Sequence, residues 1–281
     1  MSQSQPLVST VIAVLNGVQT LSRTIDSVAS QTYVAKELLI IDGGSTDGTL
    51  DVIRSHAASI AYWESGPDRS LYHAFNKALA HAKGDWIYFL GSDDYFWDEH
   101  VLDSIATSLS RAYPPIRIVY GRVAFVAENG RILEILGHPW ESFRPRFLQG
   151  SMIPHQGVFH HKSLFEAHGL FDDSFKVGGD YEMLLRELMH SDPLFVPDVI
   201  VAGYQFGGGS SKPENSLRVL RAIRKAHLRH GMRFPGLRWV LTCVSVYARL
   251  ILWRVLGERL AKKIVDSARV LVGKAPFWTR I

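Results

Sequence analysis

The 281-residue chain is long enough for one large α/β unit with a short appendage, not for two full domains. Apolar residues make up 47% and charged residues 21%, a balance that excludes a disordered, collagenous or polytopic membrane chain. The formal charge of +4 hides an uneven split: residues 217–281 carry 15 Lys/Arg against 2 Asp/Glu, or +13, and residues 1–216 carry 16 against 25, or −9. The single cysteine, Cys243, excludes an intramolecular disulfide and a multi-cysteine metal centre, and fits a reducing compartment. The opening MSQSQPLVST lacks the basic and then apolar pattern of a secretory signal, so a cytoplasmic protein is expected.

Residues 7–15 form a β-branched apolar run ending at the turn Asn16-Gly17, after which Leu21, Ile25 and Val28 recur at helical spacing. The pattern repeats with a strand over 38–41, the turn Asp42-Gly43-Gly44-Ser45 and a helix opening near Asp47 that carries Leu50 and Ile53. A strand over 60–63, a helix over 71–82 and a strand over 86–90 complete a Rossmann-like half, and strict alternation of strand and helix predicts a parallel sheet with its ligand at the strand carboxyl ends. The rhythm then changes to a helix over 101–111, strands over 116–126 and 131–136 around the turn Glu128-Asn129-Gly130, and a strand over 157–161. A short helix over 163–168, a helix over 180–190 and a strand over 199–206 lead to the glycine run 207–209. No motif fixes the segment 137–154.

Acids stand at the ends of the predicted strands: Asp42, Asp68 and the pair Asp93-Asp94. A lone acid there is an ordinary cap or turn residue, but several on one sheet edge repel unless a cation or a donor-rich ligand sits among them. Paired carboxylates at a sheet edge suit a hard divalent ion that completes its shell with phosphate oxygens and water, which points to a nucleoside diphosphate.

These blocks, in this order, resemble the family 2 glycosyltransferases of GT-A fold. The resemblance covers roughly residues 7–211 and rests on the opening strand, on Ile41-Asp42-Gly43-Gly44-Ser45 and on Ser65-Gly66-Pro67-Asp68-Arg69 leading into Tyr72-His73-Ala74-Phe75-Asn76-Lys77. It continues through Gly91-Ser92-Asp93-Asp94, His155-Gln156 and Gly179-Asp180-Tyr181-Glu182. It implies an α/β fold with a Rossmann-like mixed sheet flanked by helices and a catalytic domain over 1–212; residues 213–281, beyond the resemblance, read as a basic amphipathic helical extension. It implies that Asp42 contacts the nucleotide base with Ala13 lining the same pocket; Gly43 replaces the second acid usual there. Asp47 reads more simply as a helix-start residue. By the same resemblance Asp94 holds Mn²⁺ or Mg²⁺, Asp93 bonds the ribose, and Asp68, Arg69 and Lys77 surround the nucleotide and diphosphate, although Lys77 also fits an ordinary helix surface. His155 lines the donor sugar or diphosphate, Asp180 is the general base with Glu182 as second candidate, and residues 207–211 are either a loop near the acceptor or a hinge.

The expected reaction is inverting transfer of a sugar from a nucleoside diphosphate sugar, UDP-linked by preference, to a glycan or lipid-linked acceptor in cell-surface polysaccharide assembly. A nucleotide-sugar-binding regulator on the same fold is the alternative; a nucleic-acid partner is not expected. After Pro213, Leu217, Leu220, Ile223 and His227 share a helix face with basic residues between them, and a second helix runs over 237–272. Its uncharged run, 239–248, is shorter than the ~20 residues of a spanning helix. Residues 213–281 are therefore expected to lie on the anionic inner face of the membrane, with Arg249 and Arg254 snorkelling to headgroups, or else to pack on the body or a second subunit.

Overall fold

A computed structural model of the chain describes residues 5–205, 213–271, 273 and 275–280; the glycine run expected near the acceptor lies outside them. The first half is built on β1 (Val8–Val14), β2 (Lys36–Asp42), β3 (Tyr62–Ser65) and β4 (Trp86–Gly91), separated by α1 (Leu21–Ala29), α2 (Thr49–Ser55) and α3 (Leu71–Leu79). β1 pairs in parallel with β2 and with β4, and β2 with β3. Both faces of this sheet are covered. Leu39 and Ile41 point into one apolar cluster with Val11, Ile87 and Phe89, whereas Leu38 and Ile40 point into another with Ile12, Trp86 and Tyr88. Burial on both sides is why these strands read as unbroken apolar runs and not as alternating ones.

The second half adds β5 (Tyr95–Phe96), α4 (Val101–Ala112), β6 (Ile118–Val126), β7 (Ile132–Leu136), α5 (Trp140–Phe147), β8 (Val158–His161), α6 (Ser163–His168), α7 (Gly179–Leu188) and β9 (Leu194–Gln205). The sheet order is β3-β2-β1-β4-β8-β6-β9-β5, with β7 paired to β6, and β8 enters antiparallel to both β4 and β6. The parallel half and the mixed half are thus one sheet. β9 begins five residues earlier than expected from the sequence. Its early part contains Pro197, which cannot donate to the ladder, and the register with β6 shifts between Tyr120 and Arg122. β5 is too short to show a period, and α5 forms in the segment that no motif fixed, with Pro145 inside it.

Two helices follow, α8 (Pro213–Arg229) and α9 (Gly236–Leu271). α8 buries Leu220, Ile223, Ala226 and His227 against the body. The Tyr181 hydroxyl lies 2.7 Å from His227 Nε2 and 2.8 Å from the Phe147 carbonyl oxygen, which fastens α7, α8 and α5 together. α9 behaves differently: Val240, Val244, Tyr247, Ile251 and Val255 are exposed, and Gly257 breaks the helix with φ 73°. An 18-residue stretch of α9 has mean hydropathy 1.5, so by length and composition the helix is long and apolar enough to cross a membrane. The uncharged run was the wrong gauge, because the apolar sequence resumes beyond Arg249 at Leu250-Ile251-Leu252-Trp253. Arg249 itself turns inward. It donates to Ser216 Oγ at 2.9 Å and lies 4.8 Å from the Trp278 ring centroid, so of the two arginines expected to snorkel, only Arg254 is exposed.

Tyr181→Phe deletes the shared hydroxyl while keeping the ring. It is expected to cost about 1–3 kcal/mol, the range for leaving buried polar partners unsatisfied, read as a lower urea midpoint at unchanged slope; an unchanged midpoint would show that α8 is held without it.

Candidate active site

The turn after β4 carries the pair of acids. Asp94 is 1% exposed; its Oδ1 accepts from the Gln205 backbone N–H at 2.9 Å, and its own carbonyl accepts from Thr24 Oγ1 at 2.7 Å. The Arg23 guanidinium donates to the Asp93 carbonyl at 2.7 Å and lies 4.6 Å from the Tyr95 ring centroid, so α1 clamps this turn from below. Gly91 is what lets the two side chains converge: a Cβ there would stand 2.5 Å from Asp94 Oδ2 and 3.1 Å from Asp93 Oδ1. Burial, and then the charge of Asp93, push the Asp94 carboxyl up to about 7, and burial also raises Asp93. Two hard oxygen donors turned over one bare Cα, each reluctant to ionise without a nearby positive charge, fit a divalent ion. Among the described residues no group of three or more His, Cys, Asp or Glu could hold a metal.

Asp180 opens α7. Gly178, at φ 73°, turns the chain into the helix, and Gly179 has no side chain because the Tyr72 ring lies where a Cβ would be, 2.7 Å away. That close approach brings the Tyr72 hydroxyl to donate to Asp180 Oδ1 at 3.0 Å. Burial raises the Asp180 pKa, against the hydrogen bonds that lower it. Glu182, the second acid of the motif, is 3% exposed and fully engaged: Arg186 grips it at 2.6 Å and His230 Nε2 lies 2.9 Å from its Oε1. Its partners make it a structural anchor between α7 and the end of α8.

Asp93, Asp94 and Asp180 line one open cleft of about 630 Å³, together with Ala13 and His155. His155 stacks on Phe89 with ring centroids 5.5 Å apart, and burial pushes its pKa down to about 4, so it is a neutral ring at pH 7. The other expected residues lie outside this lining. Asp42 is 0% exposed at the end of β2. Burial alone would raise its pKa, but Ser45, Ser65 and Gly44 hold it below the ordinary value, with Ser65 Oγ donating at 2.6 Å and the Gly44 and Ser45 N–H groups at 3.0 Å. Its Oδ1 is buried with no partner. Lys77 bridges Glu64 at 2.6 Å and Asp68 at 3.3 Å, and Asp68 Oδ1 also lies 2.8 Å from His73 Nδ1. Arg69, with its side chain 73% exposed, pairs with Asp173 at 2.6 Å. Asp47 accepts from Val18 and Thr49 and serves the turn before α2. Arg23 and Thr24, unremarkable helix positions, and Lys176, which lines the cleft, carry no signal in the sequence. Tyr72 lies in the stretch that leads to Lys77, but its approach to Asp180 depends on the space left at Gly179, which the sequence does not show.

The fold is a mixed α/β sheet with a carboxylate-lined cleft, and comparison with known proteins supplies the family. The profile described as Glycosyl transferase family 2 matches residues 9–163, more than half of the chain. An uncharacterized glycosyltransferase of Mycobacterium tuberculosis is 31% identical over 230 residues, covering 81% of this chain and 86% of that one. A PGL/p-HBAD biosynthesis glycosyltransferase of Mycobacterium bovis is 30% identical over 260 residues, covering 89% and 98%. Among solved structures, the mannosyltransferase PcManGT from Pyrobaculum calidifontis in complex with GDP-Man and Mn²⁺ aligns with TM-score 0.64 at 17% identity, over 98% of this chain and 83% of that one. S. aureus TarS 1–349 in complex with UDP-GlcNAc aligns with TM-score 0.62 at 20% identity, over 79% of this chain; the match spans 66% of TarS 1–349. The chain belongs to glycosyltransferase family 2 and has the GT-A fold.

The Asp94 shift has a consequence for stability. Folded Asp94 keeps its proton to about pH 7 against a reference of 3.8, so between those values the folded state binds more protons than the unfolded one, and stability falls as pH rises. In divalent-free buffer, Asp94→Asn is therefore expected to gain on the parent in urea unfolding as pH rises from about 5 to about 8. A gap that stays constant across that range would contradict the shift.

Proposed function

We propose that the protein is an inverting glycosyltransferase that moves a sugar from a nucleoside diphosphate sugar, UDP-linked by preference, to a hydroxyl of a lipid-linked acceptor in cell-surface glycan assembly. The observation that carries this reading is that a converging carboxylate pair and a separate carboxylate of raised proton affinity line the same cleft. The GDP-Man and Mn²⁺ bound by PcManGT, the UDP-GlcNAc bound by TarS and the glycolipid-type name of the mycobacterial relative support it.

In this reading Asp180 takes the proton of the acceptor hydroxyl while that oxygen bonds to the anomeric carbon, and the bond from that carbon to the diphosphate breaks, its electron pair leaving with the diphosphate. A carboxylate with a raised pKa is the stronger base for this step, and the Tyr72 hydroxyl fixes its orientation. Asp94, with Asp93 beside it, would hold Mn²⁺ or Mg²⁺, which when bound supplies positive charge against the charge growing on the diphosphate. Asp93 also bonds the ribose, and Asp42, Ala13, Asp68, Arg69 and Lys77 surround the nucleotide. Neutral His155 offers the donor a hydrogen bond without a charge.

Asp180→Asn is expected to reduce initial transfer rates by at least about a hundredfold, the scale of general-base catalysis, while nucleotide binding measured by thermal shift is retained. Transfer at near the parental rate would overturn the assignment.

Residues 213–281 are proposed to hold the enzyme on an anionic membrane surface at the cytoplasmic face. The exposed apolar residues of α9 and the exposed Arg238, Arg254 and Lys263 support this. The double variant Val244→Glu/Ile251→Glu is expected to bind phosphatidylglycerol-containing vesicles at least about tenfold more weakly in a flotation assay, since it places two charges on the apolar face. Equal partitioning of variant and parent would refute the membrane role.

A further inference from the structure

Beside the catalytic cleft lies a second, smaller pocket of about 140 Å³, walled by Tyr120, Phe143, Ser151, Met152 and Ile153. Leu136, Met152, Ile153 and Pro154 line both spaces, so the pocket directly adjoins the cleft that holds Asp180. Its wall is poor in free polar groups. The Tyr120 hydroxyl is spent on the His138 carbonyl at 2.7 Å, leaving the ring to face the pocket, and the His138 ring stacks on Phe143 at 5.8 Å. Among the described residues no Asp, Glu, Lys or Arg lines it. A sugar needs a hydrogen-bonding partner for nearly every hydroxyl it buries, and this wall supplies few. An apolar group loses nothing there and gains by leaving water.

The position of α9 points the same way. At its start the Arg238 N–H donates to Gln149 Oε1 at 3.3 Å, two residues before Ser151. Near its end Arg269 pairs with Glu134 at 3.6 Å, two residues before Leu136. The exposed apolar helix is thus tied at both ends to chain segments that adjoin the pocket wall at Leu136 and Ser151.

We infer that this pocket takes the apolar aglycone of the acceptor, an aryl ring or the first stretch of an alkyl or prenyl chain, held next to the hydroxyl that receives the sugar. The inference rests on the transferase reading above and narrows its acceptor. The sugar is added directly to a hydroxylated lipid or to the first sugar on one, not to the far end of a long glycan. The reaction that supplies the substrate is accordingly one that hydroxylates or first glycosylates an apolar carrier.

The test is calorimetric titration of the full chain with octyl, phenyl and methyl β-glucoside, all below micelle-forming concentration, alongside UDP and GDP. The octyl or the phenyl glucoside is expected to bind at least about tenfold tighter than the methyl glucoside, the scale of burying a few methylenes or a ring. Ser151→Trp, which fills the pocket, removes that margin, and the smaller filler Ser151→Leu reduces it. Val244→Glu, on the exposed face of α9, keeps it, which separates the pocket from detergent-like adsorption to the helix. A parent without the margin, Ser151 variants that retain it, or its loss in Val244→Glu alone would each overturn the inference. Nucleotide binding is expected to be unchanged in every variant; a parent that binds neither nucleotide would count against the transferase reading itself, whatever the glucosides do.

Discussion

A sheet covered on both faces leaves little room for charge in the middle of its central strands, and this constraint positions the acids of the cleft. In β1, β2 and β4 the buried middle is apolar apart from small hydroxyls such as Ser9 and Thr10, and the charged Lys36 and Glu37 stand where β2 begins. Asp42, Asp93 and Asp94 appear at the opposite edge, where β2 and β4 stop. Their proximity follows from parallel pairing, which brings the carboxyl ends of neighbouring strands to one edge.

Similar acids on one edge meet different fates because the backbone around them differs. Asp42 is surrounded by donors from its own glycine turn and from Ser65, which make its charge stable without any ligand. Asp94 has the Gln205 N–H and the Gln156 side chain as partners and Arg23 nearby, but burial and the Asp93 carboxylate outweigh them, so its charge stays costly. A shared strand-end position thus yields one carboxylate that is settled in the protein and one that is not.

The first half of the fold was legible because its signals are local: apolar runs of strand length, turns containing Gly or Asn, and helical spacing between them. The helix over Ser163–His168 emerged with the boundaries its composition suggested. The second half was less legible for identifiable reasons. β5 has two residues and no period, Pro197 disguised the start of β9, and α5 formed around Pro145, which argues against a helix when read alone. At the site, the sequence could name acids but not their company. That Glu182 is enclosed by Arg186 and His230 depends on a helix 48 residues downstream, and that Tyr72 reaches Asp180 depends on a contact across 108 residues. Neither spacing leaves a trace in a window of ten or fifteen positions. The charge split between body and tail was visible at once, but not that Arg249, in the middle of the basic tail, faces inward.

Asp180 and Tyr181 are adjacent on one helical turn, and they serve different neighbours: the first faces the cleft, the second is locked to His227 of α8. The helix that carries the carboxylate is therefore held in rotation by the extension through His227 as well as by α5 through the Phe147 carbonyl, so α8 is one support of the active site as well as a link to α9. Shortening the chain before α8 would remove an alignment surface along with any address, and a protein relocated in that way would also be a protein whose cleft had lost one of its supports.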